Sequence, residues 1–209
     1  MIKAIIFDMD GVLIDARDWH YEALNRALRL FGMEISRADH LTTFDGLPTR
    51  RKLEMLTATE NLPGGLHGFL NKLKQSYTLE IISTRCRPTF AHEFALARLK
   101  ARGVKLAVAS NSVRDSVTMM MNRANLSVHL DLMLSNEDVS KAKPDPEIYR
   151  TAMERLGVLP EETLILEDNE HGIRAARQSG AHLLVVQTPA DVTLANVDQR
   201  IAEIEAAAP

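Results

Sequence analysis

The sequence has little cysteine, few aromatic residues and no long apolar run, and these shortages exclude several classes of protein. Cys86 is the single cysteine among 209 residues, which excludes an internal disulfide and a cysteine-based zinc cluster and favours a reducing compartment. The longest apolar runs, such as Leu183–Val186, are far too short to span a bilayer. Asp8 and Asp10 interrupt the apolar start of the chain, unlike a signal peptide. We therefore expect a cytoplasmic protein that does not interact with membranes.

The sequence also lacks an excess of charge of either sign. Lysine and arginine number 25 and aspartate and glutamate 28, so the formal net charge is −3. We therefore do not expect nucleic acid as a partner, because a basic surface is needed to hold its phosphates. The hydrophobic share of 45% and the charged share of 25% are typical of a folded globular protein. The length suits one large domain, or one domain with a sizeable insertion, and nothing in the chain demands more than a monomer.

Short aliphatic segments alternate with helical patterns along most of the chain. The segments predict four strands buried on both faces and a weaker fifth: Ala4–Phe7, Lys105–Ala109, Thr163–Leu166, Leu183–Val186 and, more weakly, Leu132–Leu134. Helical patterns lie between them at Val113–Asn125, Pro146–Leu156 and Glu170–Ser179. This alternation predicts an α/β fold with a doubly wound, mostly parallel sheet.

The interval between the first strand and the Lys105 strand is much longer than a crossover requires. It holds helical patterns at Arg17–Phe31, Thr49–Leu56, Gly65–Ile82 and Pro88–Arg102. One helix is enough to join neighbouring parallel strands. Residues 15–80 are therefore predicted to form an inserted helical cap, and residues 1–14 and 81–209 to form the core. The Ala-rich tail, Ile204–Ala208, is expected to be a fraying helix end.

Acidic side chains follow two of the predicted strands. Asp8 and Asp10 come after the first strand, and Gly11 permits a tight turn that lets both carboxylates converge. A surface turn in which one aspartate caps the next segment is the alternative for this pair. Glu167 and Asp168 follow the Thr163 strand. Because the carboxyl ends of parallel strands meet at one edge of a sheet, we expect the carboxylates to lie close together and to suit Mg²⁺.

A hydroxyl group and a cation are predicted at the same edge. Ser110 and Asn111 follow the Lys105 strand, although such residues are also typical of a helix N-cap. Lys143 lies in a segment that Pro144 and Pro146 stiffen. Three strand ends therefore carry acids or a hydroxyl, and a rigid loop presents a cation.

These residues, in this order, resemble the four motifs of the haloacid dehalogenase superfamily. The motifs are Asp8-Met9-Asp10-Gly11-Val12, Ser110, Lys143-Pro144-Asp145 and Glu167-Asp168, and together they extend over the chain from end to end. The insertion after the first motif resembles the cap of subfamily I, which includes phosphoglycolate phosphatase-like enzymes and beta-phosphoglucomutase. Dehalogenases and phosphonate-cleaving members lack the second aspartate, so the presence of Asp10 implies transfer to or from a phosphate ester.

The resemblance implies a role for each motif residue. Asp8 would be the nucleophile that forms an aspartyl-phosphate, and Asp10 would protonate the leaving oxygen and then activate water. Ser110 and Lys143 would contact the non-bridging phosphate oxygens, where charge is stabilised during transfer. Asn111, next to Ser110, is predicted to contact the substrate.

The resemblance also implies a magnesium site. Asp8, the backbone carbonyl of Asp10 and Asp168 would hold Mg²⁺, which would shield the phosphate charge so that an anion can attack an anion. Glu167 would either bind the ion directly or orient the waters around it.

Further substrate-binding residues are predicted in the cap. His20 resembles a histidine near the hinge of cap-bearing relatives, and a histidine on a helix surface is the alternative. Arg50 lies in a segment that resembles the cap substrate loop, and since the adjacent Arg51 cannot share its helix face, at most one of the two is expected to point inward. Lys74, one helical turn from Tyr77, is a further candidate for substrate binding, and a solvated lysine beside a packed tyrosine is the alternative.

The sequence departs from the family pattern at two places. Ala16 stands where a serine or threonine is common, and Asn111-Ser112-Val113-Arg114 lacks the Lys-Asn pair associated with the phosphoglucomutase branch. We therefore expect a Mg²⁺-dependent phosphatase acting on a small phosphorylated metabolite such as a sugar phosphate. A sugar-phosphate mutase and a non-catalytic protein that keeps the fold are the alternatives. Residues 15–80 hold nine basic and nine acidic residues, so the bulk charge of the cap favours no substrate.

Overall fold

Five parallel strands determine where the polar residues meet. The computed structural model describes residues 1–207, so Ala208 and Pro209, at the end of the expected tail, lie outside the described residues. The strands are β1 (Ala4–Phe7), β2 (Lys105–Ala109), β3 (Leu132–Leu134), β4 (Thr163–Glu167) and β5 (His182–Val185). They form one sheet in the order β3-β2-β1-β4-β5, and every neighbouring pair is parallel. The predicted α/β fold is confirmed, and β1 lies at the centre of its sheet.

Most of the helices lie where they are predicted, with ends shifted by a few residues, but the helices at Arg37–Asp39 and Leu194–Ala206 are not predicted. Within residues 1–207 they are α1 (Arg17–Arg29), α2 (Arg37–Asp39), α3 (Thr49–Glu60), α4 (His67–Arg85), α5 (Phe90–Ala101), α6 (Arg114–Arg123), α7 (Glu147–Leu156), α8 (Glu170–Ser179) and α9 (Leu194–Ala206). A π-helical turn follows α2, and short 3₁₀ segments lie at Gly64–Leu66, Ser127–His129, Asn136–Asp138, Pro160–Glu162 and Pro189–Asp191. None of the helices in the described residues is long and apolar enough to cross a membrane.

The strand side chains alternate between two apolar cores, because successive residues of a strand point to opposite faces of the sheet. Ile5 and Phe7 pack in one core with residues of α5, α6 and α9. Ala4 and Ile6 pack in the other core with residues of α7 and α8. Since helices cover both faces, β1 is apolar throughout, and the acidic residue Asp8 follows it directly.

Strand β5 departs from the prediction of four strands buried on both faces. It begins and ends one residue earlier than expected, at His182 and Val185, and Val185 is exposed. The reason is its place in the sheet, because β5 pairs only with β4 and forms an edge. The prediction was wrong for this strand, since an aliphatic run does not distinguish an edge strand from a central one.

Helices α1, α3 and α4, which lie between β1 and β2 in the chain, enclose an apolar cluster of their own. Leu24, Leu53 and Leu70 are buried in that cluster. Helix α4 continues beyond it, and Ile82 near its end packs in the core beneath the sheet. The predicted boundary between cap and core, at residues 80 and 81, therefore falls within α4, and the bounds of the cap stay a prediction.

Candidate active site

The loop after β1 places Asp8 at the carboxyl edge of the sheet. The backbone N–H of Asp8 donates to the carbonyl of Leu166 in β4, with a distance of 2.9 Å. The chain then turns at Gly11, which has a φ of +90° and donates its N–H to the carbonyl of Ile14. A Cβ atom at Gly11 would lie 2.0 Å from Oδ2 of Asp168. Glycine is therefore needed for the loop to approach this carboxylate.

A buried lysine bridges the ends of β1 and β4. Nζ of Lys143 donates to Oδ1 of Asp8 at 2.6 Å and to Oε1 of Glu167 at 2.7 Å. The hydroxyl of Tyr149 donates to the same oxygen of Glu167 at 2.6 Å, and its ring centre lies 4.7 Å from the ammonium group. Burial opposes the charge on Lys143, but the two carboxylates raise its pKa above the ordinary value, so the ammonium stays charged. Sequence analysis missed Tyr149, because an aromatic residue in an amphipathic helix also fits an ordinary core position.

Carboxylates outnumber cations at this edge. Asp8, Glu167 and Asp168 each offer an oxygen, and these oxygens lie within 4.8 Å of one another. Burial raises the pKa of Asp8 well above its usual range, with Lys143 opposing and the neighbouring acids adding to the rise. Burial and the charge of Glu167 raise the pKa of Asp168 to about 6. A buried set of hard oxygen donors with too little positive charge fits a cation such as Mg²⁺.

A chain of hydrogen bonds connects Asp10 to helices α1 and α4. Nζ of Lys74 donates to Nδ1 of His20 at 3.1 Å, and Nε2 of His20 lies 3.1 Å from Oδ1 of Asp10. Because an ammonium group can only donate, Nδ1 is the acceptor and Nε2 carries the hydrogen that faces Asp10. Ser112 donates to the other oxygen of Asp10 at 2.8 Å. Burial opposes ionisation of Asp10, but His20 and Ser112 lower its pKa below the ordinary value, which keeps the carboxylate charged.

Arg17, the first residue of α1, reaches the same edge. Its Nη2 lies 3.1 Å from Oδ2 of Asp168, and its Nε lies 3.0 Å from Oδ2 of Asp45 in the loop before α3. Arg17 therefore joins that loop to the acid after β4. Sequence analysis did not single it out, because an arginine at a helix start carries no signal of a contact 151 positions away.

Ser110 and Asn111 lie at the end of β2, as predicted. Ser110 is buried, and its hydroxyl oxygen accepts a hydrogen bond from the N–H of Ser112 at 3.0 Å. The side-chain amide of Asn111 forms hydrogen bonds with backbone groups. It donates to the carbonyls of Gly46 and Lys143 and accepts from the N–H of Lys143. Asn111 thereby fixes the segment that carries the lysine, and its contact with a substrate stays a prediction.

The predicted residues of the cap separate into buried and exposed groups. Lys74 is buried, which excludes the alternative of a solvated lysine, and His20 has a side-chain exposure of only 14%. Arg50 and Arg51 both pair with Glu54, and the side chain of Arg50 is 88% exposed. Arg50 lies at the mouth of the cavity rather than inside it, and its role in substrate binding stays a prediction.

Most of the predicted site residues line one cavity. Its empty volume, counted out to its open mouth, is about 940 Å³. Its lining includes Asp8, Asp10, Arg17, His20, Arg50, Lys52, Lys74, Ser110, Asn111 and Asp168. Lys52 of α3 was not predicted as a site residue, because the sequence pattern drew attention only to the two arginines before it.

The sequence is similar to known phosphatases over most of its length. The family described as Haloacid dehalogenase-like hydrolase matches residues 5–186. A phosphorylated carbohydrates phosphatase of Thermotoga maritima is 30% identical over 179 residues, which cover 86% of this chain and 82% of that protein. A phosphoglycolate phosphatase of Aquifex aeolicus is 29% identical over the same length, with the same coverage of both chains.

The fold is also similar to that of a protein whose structure has been solved. The crystal structure of a beta-phosphoglucomutase from Clostridium difficile matches with a TM-score of 0.85 over 99% of this chain and 100% of that one, at 21% identity. That identity supports the fold alone, whereas the family match extends to the motifs at the ends of β1, β2 and β4. The chain therefore belongs to the haloacid dehalogenase-like hydrolases, as an enzyme of the phosphatase type.

Proposed function

We propose that this protein is a Mg²⁺-dependent phosphatase that hydrolyses a small phosphorylated metabolite through an aspartyl-phosphate at Asp8. The observation that supports it is the set of contacts around Asp8. This carboxylate directly follows the central strand, binds Lys143, lies beside further acids and lines the cavity. Asp10 lines the same cavity, so an acid and a nucleophile are available to one substrate.

In the first half of the reaction, Asp8 is the nucleophile. One of its carboxylate oxygens attacks phosphorus, the bond from phosphorus to the ester oxygen breaks, and the leaving oxygen takes a proton from Asp10. Asp10 is charged before substrate binds, so it takes up a proton from solvent as the anionic phosphate approaches, because a second negative charge nearby favours the protonated carboxyl group. His20 and Ser112 hold both oxygens of Asp10 and thereby orient the carboxyl group.

In the second half of the reaction, Asp10 is the base. Its carboxylate takes a proton from water, and the water oxygen attacks the phosphorus of the aspartyl-phosphate. The bond from phosphorus to Asp8 breaks and inorganic phosphate leaves. Asp10 then returns the proton taken from water to solvent, which restores the charged carboxylate of the free protein.

Asp8, the backbone carbonyl of Asp10 and Asp168, with Glu167 beside them, would hold the Mg²⁺ ion. When bound, the ion would offset the charge of the phosphate so that a carboxylate can approach it. Glu167 already accepts hydrogen bonds from Lys143, Tyr149 and the backbone N–H of Asp168. These donors fix its position, so its main contribution is to hold Lys143 in place.

Lys143 and Ser110 would stabilise the phosphate oxygens during transfer. Both are buried at the edge where Asp8 lies. The side-chain amide of Asn111 forms hydrogen bonds with both the N–H and the carbonyl of Lys143, which keeps the ammonium group positioned before substrate arrives. Positioned donors stabilise the charge of a transferring phosphoryl group without having to reorganise.

Hydrolysis of p-nitrophenyl phosphate tests this function. We expect activity that requires Mg²⁺ and that falls by at least about 10³-fold in Asp8→Asn, because an amide is a poor nucleophile. Asp18→Asn is the matched control, since Asp18 is an exposed acid on α1, and this variant should keep wild-type activity. Wild-type turnover by Asp8→Asn would contradict the mechanism.

A sugar 1-phosphate separates hydrolysis from the mutase alternative. The proposed function predicts release of inorganic phosphate without formation of the 6-phosphate isomer. Formation of the isomer without free phosphate would contradict the phosphatase and favour a mutase.

A further inference from the structure

Helix α5 carries apolar side chains on two opposite faces. Its buried face consists of His92, Ala95, Leu96 and Leu99. The residues that point the other way, at the alternating spacing of four and three that keeps side chains on one helix face, are Phe90, Phe94, Ala97 and Ala101. Phe90 is 81% exposed and Phe94 is 46% exposed. A helix that is apolar all round is normally buried on all sides, so the outer face of α5 lacks the cover that its composition requires.

Helix α8, which covers the sheet in the ordinary way, shows the contrast. Its exposed residues are all polar: Glu170, Arg174, Arg177 and Gln178. In α5 the charged residues lie instead on the flanks of the outer face, with Glu93 and Lys100 on one side and Arg98 on the other. An exposed apolar patch with a polar border is typical of a surface that binds another protein.

The outer face of α5 is also held in a fixed arrangement. The rings of Phe90 and Phe94 stack with their centres 5.9 Å apart and their planes at 21°. The 3₁₀ segment that contains Val128 lies beside α5, and this side chain is 70% exposed. Asn125, just before that segment, donates a hydrogen bond to Glu93 of α5. The surface therefore needs little ordering when it binds a partner.

We propose that the outer face of α5 binds the same face of a second copy of this chain, with the two helices antiparallel about a two-fold axis. An antiparallel pair places Phe94 of each copy opposite Ala97 of the other, and Phe90 opposite Ala101. A large side chain then meets a small one in every layer, which lets the two surfaces interdigitate. A parallel pair would instead place phenylalanine on phenylalanine and alanine on alanine, and the helices would separate at the alanine end.

The charges on the flank favour the same arrangement. Glu93 lies near the beginning of α5 and Lys100 near its end, and both border the apolar face on the same side. In the antiparallel pair Glu93 of each copy lies opposite Lys100 of the other, so the two-fold axis creates two attractive contacts. A second copy thus supplies both the small residues that the phenylalanines need and the opposite charges.

Sedimentation equilibrium over a range of concentrations tests the dimer. Two helices of 12 residues bury less than the ~1,600 Å² of a standard interface, so we expect a Kd of about 10–100 μM. The combined variant Phe90→Ser, Phe94→Ser should raise the Kd at least about tenfold, because central aromatic residues carry most of the binding energy. Phe69→Ser is the matched control, since Phe69 is an exposed phenylalanine of α4, and it should keep the wild-type Kd.

Cross-linking with a short bismaleimide tests the orientation. Cys86 is buried, so an introduced cysteine supplies the reactive thiol. A mixture of Phe90→Cys and Ala101→Cys should form cross-linked dimers, whereas each variant alone should not. In the antiparallel pair two copies of the same position lie 11 residues apart along the helices, which is roughly 16 Å and beyond the reach of the linker. Cross-linking of either variant with itself in equal yield would overturn the antiparallel arrangement.

The mass measurements decide the dimer independently of catalysis. A monomer at about 500 μM wild-type protein would overturn the proposal. A dimer with the same Kd in the Phe90→Ser, Phe94→Ser variant would overturn it as well, because that dimer would use another surface. Far-UV circular dichroism shows whether this variant is folded. If it is not, Ala101→Glu tests the same face, since its charge would lie opposite Phe90 of the other copy and should also raise the Kd at least about tenfold.

Discussion

At the scale of single residues, the site depends on one buried cation held between two carboxylates. Lys143 binds Asp8 and Glu167, and Tyr149 supplies a further donor to Glu167. A buried charge is tolerated only when its partners and hydrogen bonds are complete. Tyr149 is therefore part of the support of the site, although its ring packs in the apolar core on one face of the sheet.

Removal of the Tyr149 hydroxyl should weaken both the fold and the site. Tyr149→Phe keeps the ring but removes a hydrogen bond to a buried carboxylate, so we expect the free energy of unfolding to fall by about 1–3 kcal/mol. Urea unfolding measures this change, and kcat should fall as well, because Lys143 loses a fixed neighbour. Tyr21→Phe, at a half-buried tyrosine of α1, is the matched control and should change stability by less than about 0.5 kcal/mol. An equal effect of the two substitutions would contradict this role.

At the scale of elements, the start of α8 packs directly on the acidic cluster. Asn169 caps the helix by accepting a hydrogen bond from the N–H of Gly172 at 3.0 Å. A Cβ atom at Gly172 would lie 1.7 Å from Oε1 of Glu167, so the helix can approach the sheet edge only because this position has no side chain. Gly180, in the left-handed conformation, ends the helix, which is why both ends of α8 agree with the prediction.

Two glycine-to-alanine substitutions in helices should have opposite effects. Alanine is favoured over glycine by about 1 kcal/mol within a helix, and Gly68→Ala in α4 should raise stability by about 0.5–1 kcal/mol because no atom lies within 4 Å of the new Cβ. Gly172→Ala should instead lower stability by about 1–3 kcal/mol, because the collision with Glu167 outweighs the gain in propensity. Thermal unfolding measures both changes. Stabilisation by Gly172→Ala would mean that α8 does not pack on Glu167 as described.

At the scale of the whole molecule, polar contacts join the helices of residues 15–80 to the edge of the sheet. Arg17 connects Asp168 to Asp45, and His20 connects Asp10 to Lys74. The apolar cluster of these helices is separate from the two cores of the sheet. Residues from both parts therefore line one cavity.

Mg²⁺ should stabilise the folded protein as a whole. At 100 times its Kd, a ligand that binds only the folded state stabilises it by about 2.7 kcal/mol, so Tm should rise with Mg²⁺ and return on addition of EDTA. Asp168→Asn should lose most of this rise, because it removes a carboxylate from the cluster at the end of β4. The matched control is Glu161→Gln, an exposed acid before β4, which should keep it. A rise of the same size in Asp168→Asn would place the ion elsewhere.

The sequence by itself determined the parallel α/β fold, the membership of the family and the strand ends at which the acids lie. These features are local, because an aliphatic run and the polar residues after it are neighbours in the chain, as Phe7 and Asp8 are. Only the tertiary structure decided that β5 is a half-buried edge, that Arg50 is exposed and that Lys52 lines the cavity. The Tyr149 contact with Glu167 was also out of reach. Burial and pairing depend on which distant segments pack together, and the local pattern of a helix does not state which of its cations will face a cavity.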